Sequence, residues 1–205
     1  AGQPPERQGG LEWSPHSGVL EAGTSQLSVV DGDGNIVSMT MTVEAAFGSH
    51  LMVRGFLLNN ELTDFSFVAE RDDKPVANRV EAGKRPRSSM SPVIVFNADG
   101  SPALVAGSPG GSRIIAYTAG AVARVLGHSM TPQAAVEAGH IINRNSTTTE
   151  LEAGTPAADH AQALEALGHK TKVRALTSGL HLIQFTPQGL IAGVDPRREG
   201  LALGE

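Results

Sequence analysis

A threonine and a glycine turn carry the first chemical suggestion in this 205-residue chain. Thr24 sits in the run Gly-Thr-Ser-Gln-Leu-Ser-Val-Val-Asp-Gly-Asp-Gly-Asn, at the mouth of a predicted strand. Further on, Gly-Ser-Pro-Gly-Gly-Ser-Arg at 107–113 opens a predicted helix. Thr24 could supply a nucleophile. Gly110 and Gly111 could supply backbone N–H groups, aided by the helix N-terminus, for a developing oxyanion. The pair points to an enzyme that cleaves amides.

A threonine hydroxyl is a weak nucleophile and needs a base. The histidines (His16, His50, His128, His140, His160, His169 and His181) fall in loops, at helix ends or alone. None has the spacing of a metal ligand pair, and each reads as a surface or singly bonded side chain. A threonine at a chain's N-terminus carries its own base, because a free α-amine titrates near pH ~7.7–8.0. That requires the Gly23–Thr24 bond to be cut, and glycine before the nucleophile leaves room for the geometry of such a cut. Taken singly, Thr24 also reads as a β-prone residue, and the glycine turn as a tight strand-to-helix connection. The turn lacks the Gly-Lys-Ser/Thr ending of a phosphate loop, which argues against a nucleotide.

Other polar groups suggest a ligand. Glu61 and Asp64 share one loop and could hold an ammonium. Ser88 and Ser89 could donate to a carboxylate. Glu44 ends a hydroxyl-faced strand. Each also reads as a plain turn or surface residue; together they suit an amino-acid-like ligand bearing both charges.

The elements that must position these residues follow from pattern. Ser25 to Val30 and Asn35 to Val43 are β-prone runs around Asp31-Gly32-Asp33-Gly34, a hairpin signal. In the second run Ile36, Ser38, Thr40 and Thr42 alternate with Val37, Met39, Met41 and Val43, giving one hydroxyl-rich and one apolar face. A short strand near 56–58 runs into the polar loop 59–64, and 69–88 reads as a long surface excursion. Segments 92–96 and 103–106 form a second hairpin. Helices are predicted from Ser112 to Gly127, from Thr131 (cap) and Pro132, and from Thr155-Pro156 to Leu167. Strands return at 172–174, 180–185 and 190–194. Strands, then helices, then strands suggest an α+β layered domain of antiparallel sheets rather than a βαβ array. Residues 1–23 read as an irregular arm, and 24–205 as the folded domain.

Composition narrows the classes. The net charge is −5 and the basic residues are scattered, so nucleic acid is a poor partner. Apolar runs fall short of a membrane span. With no cysteine, disulfides, thiolate metal sites and a cysteine nucleophile are absent, while the compartment stays open. Glycine at 24 residues and aromatics at 4% fit tightly layered α/β packing.

The motifs Thr-Ser-Gln-Leu-Ser-Val-Val-Asp, Leu-Leu-Asn-Asn-Glu-Leu-Thr-Asp-Phe-Ser at 57–66, Lys-Arg-Pro-Arg-Ser-Ser-Met-Ser-Pro at 84–92 and Gly-Ser-Pro-Gly-Gly-Ser-Arg-Ile-Ile at 107–115 occur in this order. In them the chain resembles the small subunit of γ-glutamyltranspeptidases, members of the N-terminal nucleophile hydrolases. The resemblance implies a four-layer αββα sandwich shared with a large subunit of the same precursor, which supplies an arginine. It implies Thr24 as the nucleophile freed by self-cleavage after Gly23, and Thr42 bonded to its side chain. Gly110 and Gly111 become the oxyanion hole. Ser88 and Ser89 take the substrate α-carboxylate, while Glu61 and Asp64, with Asn60 beside them, take the α-ammonium. Residues 1–23 become the end of the large subunit or a pro-segment. The implied reaction is a two-step γ-glutamyl transfer from glutathione or a related amide to water, an amino acid or a peptide, with no metal or organic cofactor. The family's habit is periplasmic or secreted. Three positions depart from the common pattern: Glu44 stands where Asn is common, Thr63 for a frequent Asp, and Gln26 for a frequent His. A cephalosporin or glutaryl acylase and an uncleaved inert relative are the alternatives.

Overall fold

The computed structural model describes residues 23–204. The arm expected over 1–23 therefore lies outside the described residues apart from Gly23, as does His16. The described chain divides into two compact units, one of residues 23–42 with 89–204 and one of Val43–Ser88.

The first unit begins with the expected hairpin, β1 (Thr24–Val30) against β2 (Ile36–Thr42). Asp31 closes its turn by accepting from the Asp33 and Asn35 N–H groups, an Asx turn, and Gly34 takes the positive φ of 83° that the chain needs there. The register pairs Thr24 with Thr42, Gln26 with Thr40 and Ser28 with Ser38, so every polar side chain of this set shares one face.

The segment Val43–Ser88 forms the other unit. Two short hairpins mark it: β3 (Met52–Val53) with β4 (Phe56–Leu57), and β5 (Glu70–Arg71) with β6 (Lys74–Pro75). Both turn through residues of positive φ, Arg54-Gly55 and Asp72-Asp73, as tight two-residue hairpins require. The polar loop becomes a single 3-10 turn over Glu61–Asp64. Much of 69–88 is exposed, as the surface excursion predicts, but Val76 is buried.

In the first unit, β7 (Val93–Phe96) and β8 (Pro102–Gly107) form the second expected hairpin. The chain then enters α1 (Ile114–Val122), continued by one wider π-helical turn to Gly127. α2 (Pro132–Glu137) starts as expected, with Thr131 Oγ1 accepting from Ala134 N at 3.3 Å. Then come β9 (Ile141–Ile142), β10 (Thr148–Glu152), α3 (Ala161–Ala166), β11 (Lys170–Arg174), β12 (His181–Thr186) and β13 (Gly189–Val194).

The main sheet has the order β13-β12-β8-β7 and is antiparallel. α1 packs on β8 and α2 on β12 and β13. Leu104, Ala106 and Leu182 of the sheet meet Tyr117, Ala121, Val125, Ala135 and Val136 in one core. Removing a buried leucine from such a core costs about 2–5 kcal/mol. The alternate residues of β8 and β12, including Gly107 and His181, face the β1–β2 hairpin. The described residues thus hold three layers, helix, sheet and hairpin, of the four expected.

One local pairing differs from the antiparallel expectation. β10 and β11 are parallel, joined through Pro156–His160 and α3, a βαβ crossover. β9 and β10 were not expected as strands, because Asn143 to Glu152 reads as polar. The carboxylates within β10 are buried and answered by arginines: Glu150 by Arg113, Arg144 and Arg174, and Glu152 by Arg197. Among the described residues no helix is long and apolar enough to cross a membrane.

Candidate active site

Thr24 is the first residue of β1, and its cross-strand partner Thr42 is the last of β2. Their hydroxyl oxygens lie 3.0 Å apart. Thr42 Oγ1 also donates to the carbonyl oxygen of Gly23 at 3.3 Å. Its single proton is therefore directed at Gly23, and the Thr24 hydroxyl donates to Thr42. The pair thus addresses the one peptide bond whose cleavage would free the Thr24 amine.

The hydroxyl face of the hairpin lies against the sheet, and Val37, Met39 and Met41 of the apolar face are exposed. Gln26 explains how polar groups are accommodated there. Its Nε2 donates to Leu27 O (2.8 Å) and Ser38 Oγ (3.2 Å), and its Oε1 accepts from Thr40 (2.6 Å). Ser38 then donates to Ala106 O on β8 at 3.1 Å. A Cβ on Gly107 would stand 2.3 Å from the Gln26 amide carbon, so only glycine leaves room for that side chain. The strand that begins at Thr24 is thereby fastened to the strand that runs into the glycine turn.

That turn leaves β8 at Gly107 and tightens through Ser108, Pro109, Gly110 and Gly111. Gly110 has φ 135° and Gly111 φ 61°, both costly for any side chain. A Cβ on Gly110 would also lie 2.5 Å from Cε2 of Tyr117. Among the described residues neither glycine N–H has a hydrogen-bond partner. Two adjacent unsatisfied donors at a helix entrance suit a negative charge.

In the other unit, one carboxylate oxygen from each of Glu44, Glu61 and Asp64 lies within 4.8 Å of the others. Glu44 and Asp64 are buried. Burial, and then the charge of Asp64, raises the Glu61 carboxyl above its ordinary range. Arg87 approaches Asp64 at 3.6 Å. Three gathered carboxylates can hold an ammonium or a metal cation. Glu44 adopts φ 72°, a left-handed conformation that a glutamate occupies at a cost. The Asn60 carboxamide holds the turn together, its Oδ1 accepting from Ala45 N (2.9 Å) and its Nδ2 donating to Thr63 Oγ1 (2.7 Å). Ser88 and Ser89 lie on backbone outside any helix or strand, Ser88 exposed and Ser89 half-buried.

A buried polar hub was not legible in the sequence. His140 is buried rather than at the surface. Its Nε2 lies 2.7 Å from Ser178 Oγ, and Ser178 donates to Asp195 Oδ2 at 2.5 Å. Since the serine proton goes to Asp195, His140 must donate to Ser178. Burial, and then Arg197 and Arg124, hold the imidazole down at about 3, so it is neutral. Ser178 is fully buried and gives its proton to a carboxylate, so it is no rival nucleophile. Arg197 binds both Glu152 and Asp195. His181 lies half-buried within β12, inside the strand expected over 180–185.

The sandwich layers and the likeness to solved structures define a chain of the N-terminal nucleophile hydrolase architecture. The chain belongs to the gamma-glutamyltranspeptidase family, whose pattern matches residues 6–205. The glutathione hydrolase proenzyme of Bacillus subtilis (strain 168) is 37% identical over 190 residues, covering 90% of this chain and 31% of that protein. An acylase proenzyme of Pseudomonas sp. (strain SE83) is 34% identical over 181 residues, covering 86% of this chain and 31% of that protein. A solved Helicobacter pylori gamma-glutamyltranspeptidase mutant is similar in structure, with a TM-score of 0.74 at 34% identity, covering 86% of this chain and 100% of that one. The chain spans about a third of the length of the curated relatives it matches.

Proposed function

We propose that this chain is the catalytic portion of a γ-glutamyl acyltransferase and hydrolase whose nucleophile is Thr24. The observation that carries the reading is the contact of Thr42 Oγ1 with both Thr24 Oγ1 (3.0 Å) and Gly23 O (3.3 Å). It supports self-cleavage first. Thr24 Oγ attacks the Gly23 carbonyl carbon, and Thr42 steadies the charge that grows on the carbonyl oxygen. The C–N bond breaks, its nitrogen takes the proton, and the resulting ester is hydrolysed by water. The products are a carboxylate on Gly23 and a free amine on Thr24.

That amine is the base for catalysis. It takes the Thr24 hydroxyl proton as the oxygen attacks the γ-carbonyl of a donor such as glutathione. Gly110 and Gly111 N–H groups bind the oxyanion. The amine returns the proton to the leaving amino group, and water or the amino group of an amino acid or peptide then releases the γ-glutamyl group. Glu61 and Asp64, joined by Glu44, take the donor's α-ammonium, with Asn60 holding their turn. Ser88 and Ser89 take its α-carboxylate, beside an arginine from a large subunit of the same precursor. Residues 1–23 belong to that large subunit or to a pro-segment. No step calls for a metal or organic cofactor. The family resemblance favours a periplasmic or secreted assembly, which fractionation with reporter fusions tests.

The acylase relative favours a second reading, a glutaryl or cephalosporin acylase. A glutaryl group has no α-ammonium, so the three carboxylates argue for the γ-glutamyl donor. Turnover of γ-glutamyl and glutaryl anilides by the enzyme assembled with its large-subunit segment separates the two. Preference for γ-glutamyl, abolished in Thr24→Ala, is expected. Preference for glutaryl sinks the ammonium assignment. A parent chain that neither cuts itself nor turns over either substrate is an inert relative.

A further inference from the structure

The glycine turn touches the buried hub along two separate routes. Gly110 lies so close to the Tyr117 ring that a Cβ there would meet it at 2.5 Å. Tyr117 is buried, and its ring centroid lies 4.5 Å from that of His140 at a tilt of 53°. His140 donates to Ser178, and Ser178 to Asp195. The second route runs through backbone. Gly179 N donates to Ser108 Oγ at 3.2 Å, and Ser108 in turn donates to Pro109 O at 2.7 Å. Pro109 packs so tightly on Gly179 that a Cβ there would lie 2.7 Å from its ring. Asp195 fixes this loop from beneath by accepting also from Leu180 N at 3.2 Å. Its other oxygen accepts from the Arg197 backbone and guanidinium, both at 3.0 Å.

We propose that Ser178, with Asp195 and the Tyr117–His140 ring pair, is a positioning hub that sets the two N–H donors of Gly110 and Gly111 for the oxyanion. The inference rests on the acyl-transfer reading above. None of the hub residues touches substrate in this scheme. Their effect passes through the turn, whose two glycines have no side chains of their own to lock it. Aligned oxyanion donors contribute mainly in the transition state, so misalignment lowers kcat rather than raising KM. The buried, hydrogen-bonded set suits that task, since a rigid support limits loss of alignment.

The test compares Ser178→Ala, Tyr117→Leu and Tyr117→Phe with the parent, each assembled with the large-subunit segment. Competent sites are counted with a covalent donor analogue, so that kcat refers to correctly built enzyme. Ser178→Ala and Tyr117→Leu are expected to lose about 10–100-fold in kcat with KM within about twofold, a part of the 10²–10³ that a lost donor costs. A γ-boronate analogue of glutamate should weaken in parallel, while glutamate itself binds unchanged. Tyr117→Phe keeps the ring and should stay within about threefold of the parent. Full kcat per competent site in Ser178→Ala or Tyr117→Leu overturns the proposal, as does a loss lying wholly in KM. Should Ser178→Ala not fold, Tyr117→Leu against Tyr117→Phe decides it alone. An inactive parent refutes the acyl-transfer reading instead.

Discussion

Replacing Thr42 by valine removes one hydroxyl and keeps the branched shape that suits a strand. In the folded chain that hydroxyl accepts from Thr24 and donates to a neutral carbonyl oxygen on Gly23. Neutral hydrogen bonds contribute about 0.5–1.5 kcal/mol each, so Thr42→Val should fold and lose only a few degrees in Tm. During self-cleavage the Gly23 oxygen becomes an anion, and a hydrogen bond to a charged group contributes about 1.5–3 kcal/mol. The differential is therefore about 0.5–2 kcal/mol, or ~2–30-fold in rate. The starting contact is long at 3.3 Å, which favours the lower half of that range before the transition state tightens it. The assay is a time course of precursor loss on denaturing gels, with Thr42→Ser as the control that restores the hydroxyl. The expected order is parent, then serine, then valine. A valine variant that cuts itself as fast as the parent would refute the role of Thr42, and so would a serine variant no faster than valine.

Three further outcomes are expected. Gly110→Ala meets both a positive φ and the Tyr117 ring, costing about 1–3 kcal/mol for each, and should lower Tm sharply by calorimetry and turnover with it. Glu44→Asn relieves a glutamate at φ 72°, so stability should hold or rise by a few tenths of a kcal/mol, while KM for a γ-glutamyl donor rises about tenfold or more and KM for a glutaryl donor does not. Denaturant titrations against pH should show stability falling in acid. Glu150 is held down at about 2, first by its hydrogen bond from Arg113, so its contribution is complete above its ordinary 4.5 and is lost as pH falls from there towards 2. His140, neutral in the fold and held at about 3, adds a loss that begins nearer 6.5. Glu150→Gln should flatten the lower part of that slope.

The hairpins β1–β2 and β7–β8 and the start of α2 were legible because local chemistry decides them, whereas the short hairpins β3–β4 and β5–β6 were not. Asp31-Gly32-Asp33-Gly34 turns one hairpin, and Thr131-Pro132 caps a helix. Thr24 and the glycine turn stood out as candidates for chemistry, since a hydroxyl at a strand start and paired donors at a helix entrance are local patterns, whereas Thr42 entered only with the family resemblance. The parallel strand β10 was not. Its Glu150 and Glu152 look like surface residues until arginines distant in sequence, Arg113 and Arg197, neutralise them. The signal passed over was the β-branched run Thr147-Thr148-Thr149. Gln26 looked like a mere departure from a common histidine. Its work depends on Gly107, 81 positions away by subtraction, leaving space for its amide. The hub of His140, Ser178 and Asp195 joins three distant segments, and no local pattern announces such a contact. Glu44 was visible as an extra charge, but its left-handed backbone appears only in the fold.

The central claim is that Thr24 works only after its own nitrogen is released. Intact-mass and N-terminal analysis of the purified native protein tests it most directly. The prediction is two chains, one ending at Gly23 and one beginning at Thr24, with the Thr24→Ala protein uncut. A native protein that turns over γ-glutamyl anilide with the Gly23–Thr24 bond intact contradicts it.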